Sequence, residues 1–261
     1  MNLDLIRKDF PILETQVNGH QIVYFDNGAT TQRPLPVVNA VVDYVTHQNG
    51  NPHRGAHIFA ISASEAYDTS KEVVRDFIHA RSEKEIIYTR NTTESLNLVS
   101  RSYGETHLKK GDHILITIAE HHSNLVTWQR AAEKTGAVLD YIYIDKETGH
   151  FPEEELKKID DPRVKILAFA QVSNVLGVEF DPKPLIKRAH AHGAVVVLDG
   201  AQSTPHKQID VQDLDCDFFA FSGHKMCSMG GIGVLYAKEE LLDEMEPFLM
   251  GGDMIETVEE P

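Results

Sequence analysis

The apolar run Ala194-Val195-Val196-Val197-Leu198 stops at the polar turn Asp199-Gly200-Ala201-Gln202, and it constrains the fold more than any other stretch. Branched residues with no polar alternation suit a central strand of a parallel sheet covered on both faces. Asp199 then stands at the strand's carboxyl end, the edge of an open α/β sheet where ligands bind. A second apolar run, Asp217-Phe218-Phe219-Ala220-Phe221, stops in the same way at Ser222-Gly223-His224-Lys225. One strand end offers a carboxylate, the other an amine.

The flanking sequence continues the alternation. Strands are expected at residues 22–25, 85–89, 112–117, 137–144 and 164–170. Helices are expected at 3–10, 34–47, 60–80, from 96 onward, 125–135, 153–159 and 184–192, with a Gly- and Asn-rich loop at 49–58. Strands and helices taking turns predict an α/β fold with a largely parallel, doubly wound sheet. The chain of 261 residues suffices for one large domain or two small ones.

Charge and composition exclude several classes. A formal net charge of -15 without a basic stripe argues against a nucleic-acid partner. No apolar run reaches the length needed to cross a bilayer, and the first residues lack the apolar core of a signal peptide. Cys216 and Cys227 fit no zinc spacing, and a reducing, cytoplasmic setting is expected. No metal site is expected either, because the fourteen histidines include no H-E-x-x-H pattern. His190 and His192 are expected to lie exposed at a helix end.

A buried carboxylate and a lysine also suit a structural ion pair. Gln202, Ser222 and His224 supply more polar groups than such a pair requires. Pyridoxal 5'-phosphate needs all of them together: a lysine amine for its aldehyde, a carboxylate for its pyridine nitrogen, and hydroxyl, imidazole and backbone donors for its phosphate.

With Glu120-His121-His122-Ser123-Asn124, Val172-Ser173-Asn174-Val175-Leu176-Gly177 and Asn91-Thr92-Thr93-Glu94 in the same order, these two strand ends resemble the class V aminotransferase-fold enzymes. More narrowly, they resemble cysteine desulfurases of the SufS type. The resemblance implies the large domain of a fold type I pyridoxal phosphate-dependent transferase, with a mostly parallel seven-stranded sheet flanked by helices. Residues 1–20 would form an N-terminal segment and 21–261 the cofactor-binding domain.

The resemblance also implies roles. Lys225 would carry the cofactor and move protons, Asp199 would face the pyridine nitrogen, and His121 would stack on the ring and assist at the substrate thiol. Asn174 would lie by the cofactor's 3'-oxygen and the substrate carboxylate. Thr92 and Thr93 would serve the phosphate, with Gln202, Ser222 and His224 completing the set, although Asn91-Thr92-Thr93 alone reads as an ordinary helix cap. Arg54 reads equally as a solvated loop residue or as an anion contact across a dimer interface. The implied reaction takes L-cysteine to L-alanine, leaving an enzyme persulfide for a sulfur-acceptor protein in iron-sulfur cluster assembly, in a homodimer. Selenocysteine lyase or another class V lyase is an alternative, and so is a cofactor-free remnant.

Two departures temper the expected activity. Ser228-Met229-Gly230 stands where the family carries glycine, proline and threonine, which loosens the turn after Lys225. The small domain that carries the family's sulfur-accepting cysteine and carboxylate-binding arginine has no counterpart before Pro261. Cys216 and Cys227 read as packing residues, so poor or absent desulfuration is expected of the chain as written.

Overall fold

The computed structural model describes residues 2–252 and Thr257. The seven strands of its main sheet are β1 (Ile86–Thr89), β2 (His113–Thr117), β3 (Val138–Ile142), β4 (Val164–Ala170), β5 (Val195–Asp199), β6 (Phe218–Ser222) and β7 (Gly233–Ala237). In space they run β1-β7-β6-β5-β4-β2-β3. All pairings from β6 to β3 are parallel, while β7 runs antiparallel to both β1 and β6. The mostly parallel seven-stranded sheet is therefore as expected, with one reversed strand.

Period-two alternation sends successive side chains of each strand to opposite faces. Val196, Leu198, Phe219 and Phe221 pack on one side with Ile78, Leu185 and Ile186. Val197, Phe218 and Ala220 pack on the other with Leu96, Trp128 and Ala131. Helices α1 (Ile58–Ile78) and α4 (Pro182–Ala191) contribute to the first face, and α2 (Thr92–Leu98) and α3 (His122–Thr135) to the second. Burial on both faces explains why the central strands carry no polar alternation.

Three expectations need correction. Residues 22–25 form no strand: the pairing that exists is a short hairpin of Gln16–Val17 with His20–Gln21, and Phe25 is 93% exposed. Ile22-Val23-Tyr24-Phe25 has strand-like composition but no neighbouring strand to bond. The strand at Gly233–Ala237 was not anticipated, because its reversed direction breaks the strand-helix alternation. His190 is not free at a helix end; it is half-buried, and its Nε2 lies 2.8 Å from Asp217. The expected domain end at Pro261 lies outside the described residues. Among those described, no helix is long and apolar enough to cross a membrane.

Candidate active site

Strands β5 and β6 pair with Asp199 opposite Ala220, so their carboxyl ends lie side by side. Asp199 is the last residue of β5. Beyond Ser222, β6 passes into one 3-10 turn, Gly223–Lys225, which carries Lys225 past the sheet edge. Both residues line one cavity of about 630 Å³. Thr92, Thr93, His121, Asn174, Gln202, Ser222 and His224 line it with them. The chain thus gathers in one place every residue read from the sequence as cofactor-binding. Arg54 lies exposed and does not line this cavity, which leaves both of its readings standing.

Burial sets the charges. It raises the proton affinity of the Asp199 carboxyl, opposed by the Ala201 amide at 2.9 Å and then by Lys225. The same desolvation lowers the Lys225 amine, with Asp199 pulling the other way. His121 and His224 are both lowered, first by burial and then by the charge of Lys225. Three basic groups are therefore biased toward their neutral forms around one acid.

Local bonds hold the walls. Ser222 Oγ accepts the Thr92 amide at 2.8 Å and shares a proton with the Thr92 hydroxyl at 2.6 Å. Asn91 does cap α2, accepting the Glu94 amide at 2.9 Å, so the ordinary capping reading holds. His121 caps α3: its Nδ1 accepts the Ser123 amide at 3.2 Å and lies 2.8 Å from the Ser123 hydroxyl. Its Nε2 carries no hydrogen bond among the described residues. Ser173 Oγ donates to the Ala119 carbonyl at 3.2 Å, which ties the turn bearing Asn174 to the turn bearing His121.

A wall that residue types only hinted at comes from the segment before Pro34. Phe25, Asp26, Gly28 and Ala29 line the cavity. The His224 carbonyl accepts the Thr31 amide at 3.0 Å and the hydroxyls of Thr30 and Thr31 at 3.1 and 3.0 Å. Gln202 Nε2 donates to the Gly28 carbonyl at 2.7 Å. On composition Asp26-Asn27-Gly28-Ala29-Thr30-Thr31 reads as a loop, and only its resemblance to a family segment near the active site points to this wall. The turn after Lys225 is better tied than its glycines suggest, since the Ser228 amide donates to the Gly223 carbonyl and the Gly223 amide to that of Ile232, both at 3.0 Å. Among the described residues no group of three His, Cys, Asp or Glu side chains is placed to hold a metal ion.

A mostly parallel sheet with an acid and an amine at adjacent strand ends defines an α/β enzyme domain with a ligand cleft at the sheet's carboxyl edge. Residues 23–260 match the aminotransferase class-V family, and the chain belongs to it. A probable cysteine desulfurase of Halalkalibacterium halodurans is 49% identical over 258 residues, covering 99% of this chain and 63% of that protein. The apo structure of a cysteine desulfurase from Thermococcus onnurineus superposes with a TM-score of 0.91 at 42% identity, over 99% of this chain and 63% of the other. A structure described as SspA in complex with cysteine gives 0.80 at 28% identity, over 89% and 66%. The chain thus spans less than two thirds of the first two relatives' length.

Proposed function

We propose that residues 21–261 are the pyridoxal phosphate-binding large domain of a cysteine desulfurase, preceded by the segment 1–20. The carrying observation is that Asp199 and Lys225 end neighbouring strands and line one cavity. The donor set fits the cofactor. A buried carboxylate without a counter-cation is costly, and a protonated pyridine nitrogen supplies one opposite Asp199. Thr92, Thr93, Ser222 and His224 offer hydroxyls and an imidazole for the phosphate, and Gln202 and Asn174 offer side-chain amides for ring and substrate oxygens.

When bound, pyridoxal phosphate supplies an aldehyde for the substrate amine and a ring that accepts the electron pair left at the substrate's Cα. The chain's residues do the rest. Lys225, biased toward the neutral amine by burial, attacks a carbonyl carbon readily and takes or returns the proton at Cα. His121, which lines the cavity with Nε2 free of hydrogen bonds among the described residues, would stack on the ring and exchange a proton with the substrate thiol. Asp199 would hold the positive charge of the ring nitrogen, and that charge would in turn favour its carboxylate form over the effect of burial.

Neither cysteine suits the role of sulfur acceptor. Cys216 is fully buried and its thiol is pushed far toward the protonated form, while half-buried Cys227 is anchored through its amide to Thr31 Oγ1 at 2.7 Å. The persulfide therefore forms elsewhere in the working enzyme, which passes sulfur to an acceptor protein of iron-sulfur assembly in the cytoplasm. Val38, Val41, Val42 and Val45 are exposed along residues 35–48, an apolar stripe that supports a homodimer. The test is the absorbance of the protein after loading with pyridoxal phosphate: a cofactor band near the visible edge appears in the parent and is lost in Lys225→Ala. The same band in both would refute the assignment.

A further inference from the structure

Glu120, one residue before His121, has no part in the chemistry above, yet it is the most heavily bonded carboxyl near the cavity. One of its oxygens accepts the Thr117 hydroxyl at 2.5 Å and the Ala170 amide at 3.0 Å. The other accepts Asn124 Nδ2 at 2.6 Å, and Asn124 Oδ1 in turn accepts the Trp128 indole at 2.9 Å. These partners come from three elements: the end of β2, the end of β4 and the first turn of α3. Ala170 and His121 both line the cavity. The carboxyl therefore fixes the distance between one wall of the site and the residue assigned to stack on the ring.

We propose that Glu120 is a positioning residue that clamps the His121 turn to the sheet, through a carboxyl able to hold that clamp as acid or as carboxylate. This inference rests on the reading of His121 given above. It follows from the bonding pattern that the clamp survives either protonation state. As carboxylate, Glu120 accepts all three bonds; as acid, it donates its proton to Thr117 Oγ1, whose hydroxyl then turns away, and still accepts from Ala170 and Asn124. Glu120 is half-buried with both carboxyl oxygens bonded, and burial raises it to about 7. Its bonds to Thr117, Asn124 and Ala170 oppose that rise, and the Asp199 carboxylate reinforces it. The charged groups around it are Asp199 at the end of β5, Lys225 beyond β6, and His121 and His122 on its own turn.

Ionisation of Glu120 thus places a second negative charge beside Asp199 as the pH passes through neutrality.

The test uses Glu120→Gln, which keeps the shape of the side chain, and a second variant, Thr117→Val, which leaves the carboxyl in place and removes one partner. Both are studied without cofactor, so the outcome does not depend on whether pyridoxal phosphate is the ligand. The folded-state value lies above the ordinary 4.5, so the stability tied to the Glu120 proton is whole below that pH and lost as pH rises through about 7. Glu120→Gln should therefore gain melting temperature relative to the parent between those values, by several degrees. The His121 ring resonance followed by NMR should show, besides its own titration, an inflection near neutrality in the parent that disappears in Glu120→Gln and moves to higher pH in Thr117→Val. Parallel melting curves, or a His121 resonance with one inflection in the parent, would overturn the proposal.

Discussion

Asp199 and Lys225 close neighbouring parallel-sheet strands and look into the same cavity, each moving the other's proton affinity against the effect of burial. An acid and a base left this way can be neutral without a ligand and charged with one. That arrangement keeps Lys225 a nucleophile until the cleft fills.

Removing the charge but keeping the shape tests the acid. Asp199→Asn still accepts the Ala201 amide through its oxygen, so the fold should survive. We expect pyridoxal phosphate to bind roughly 30-fold or more weakly, the scale for losing one partner of a buried charge pair. Absorbance titration with the cofactor, with circular dichroism as the folding control, measures it.

Gly233 lies where β7 passes the N-terminus of α2. A Cβ there would sit 2.5 Å from the Asn91 Cα and 2.7 Å from its carbonyl carbon, backbone atoms that cannot rotate aside. Gly233→Ala should cost on the order of 2 kcal/mol in urea unfolding. It should also weaken phosphate-dependent cofactor binding, because Thr92 and Thr93 follow Asn91 directly.

At the opposite end of the sheet, Asp217 accepts the Val196 amide at 2.7 Å and pairs with His190 and Lys238, both at 2.8 Å. His190 is raised by Asp217, so its share of stability is whole below about 6.5 and is lost as pH rises through the folded value. Asp217 is lowered, so its share is present above 3.8 and is lost as pH falls through its folded value. Asp217→Asn should cost about 3 kcal/mol near pH 6 and less at pH 8, where Lys238 alone remains charged. Denaturant melts at the two pH values decide it.

The two thiols should separate by access. Cys216 is buried under β6, and Cys227 is half-buried in the turn after Lys225. A thiol-reactive dye should label Cys227 in the native protein and Cys216 only after unfolding. Labelling of both at equal rates would contradict the packing role of Cys216.

Much of this architecture is legible in the sequence where burial leaves a compositional mark. Val195–Asp199 and Phe218–Ser222 are covered on both faces, so their apolar runs and abrupt polar ends locate both the strands and the site. Gly233–Ala237 escaped because nothing in Gly-Val-Leu-Tyr-Ala states that it turns back beside β1. The wall at residues 25–31 is legible through the family resemblance and not through its residue types, because it docks on the His224 carbonyl, and a backbone acceptor has no residue type. His190 was misjudged because its partner Asp217 is distant in sequence and adjacent only in the sheet.

Treating the protein with pyridoxal phosphate, fixing any lysine adduct with borohydride and mapping the peptides by mass spectrometry tests the central claim directly. We predict a single pyridoxyl group on the peptide containing Lys225, absent from Lys225→Ala. A pyridoxyl group on other lysines alone, or none at all, would contradict the account.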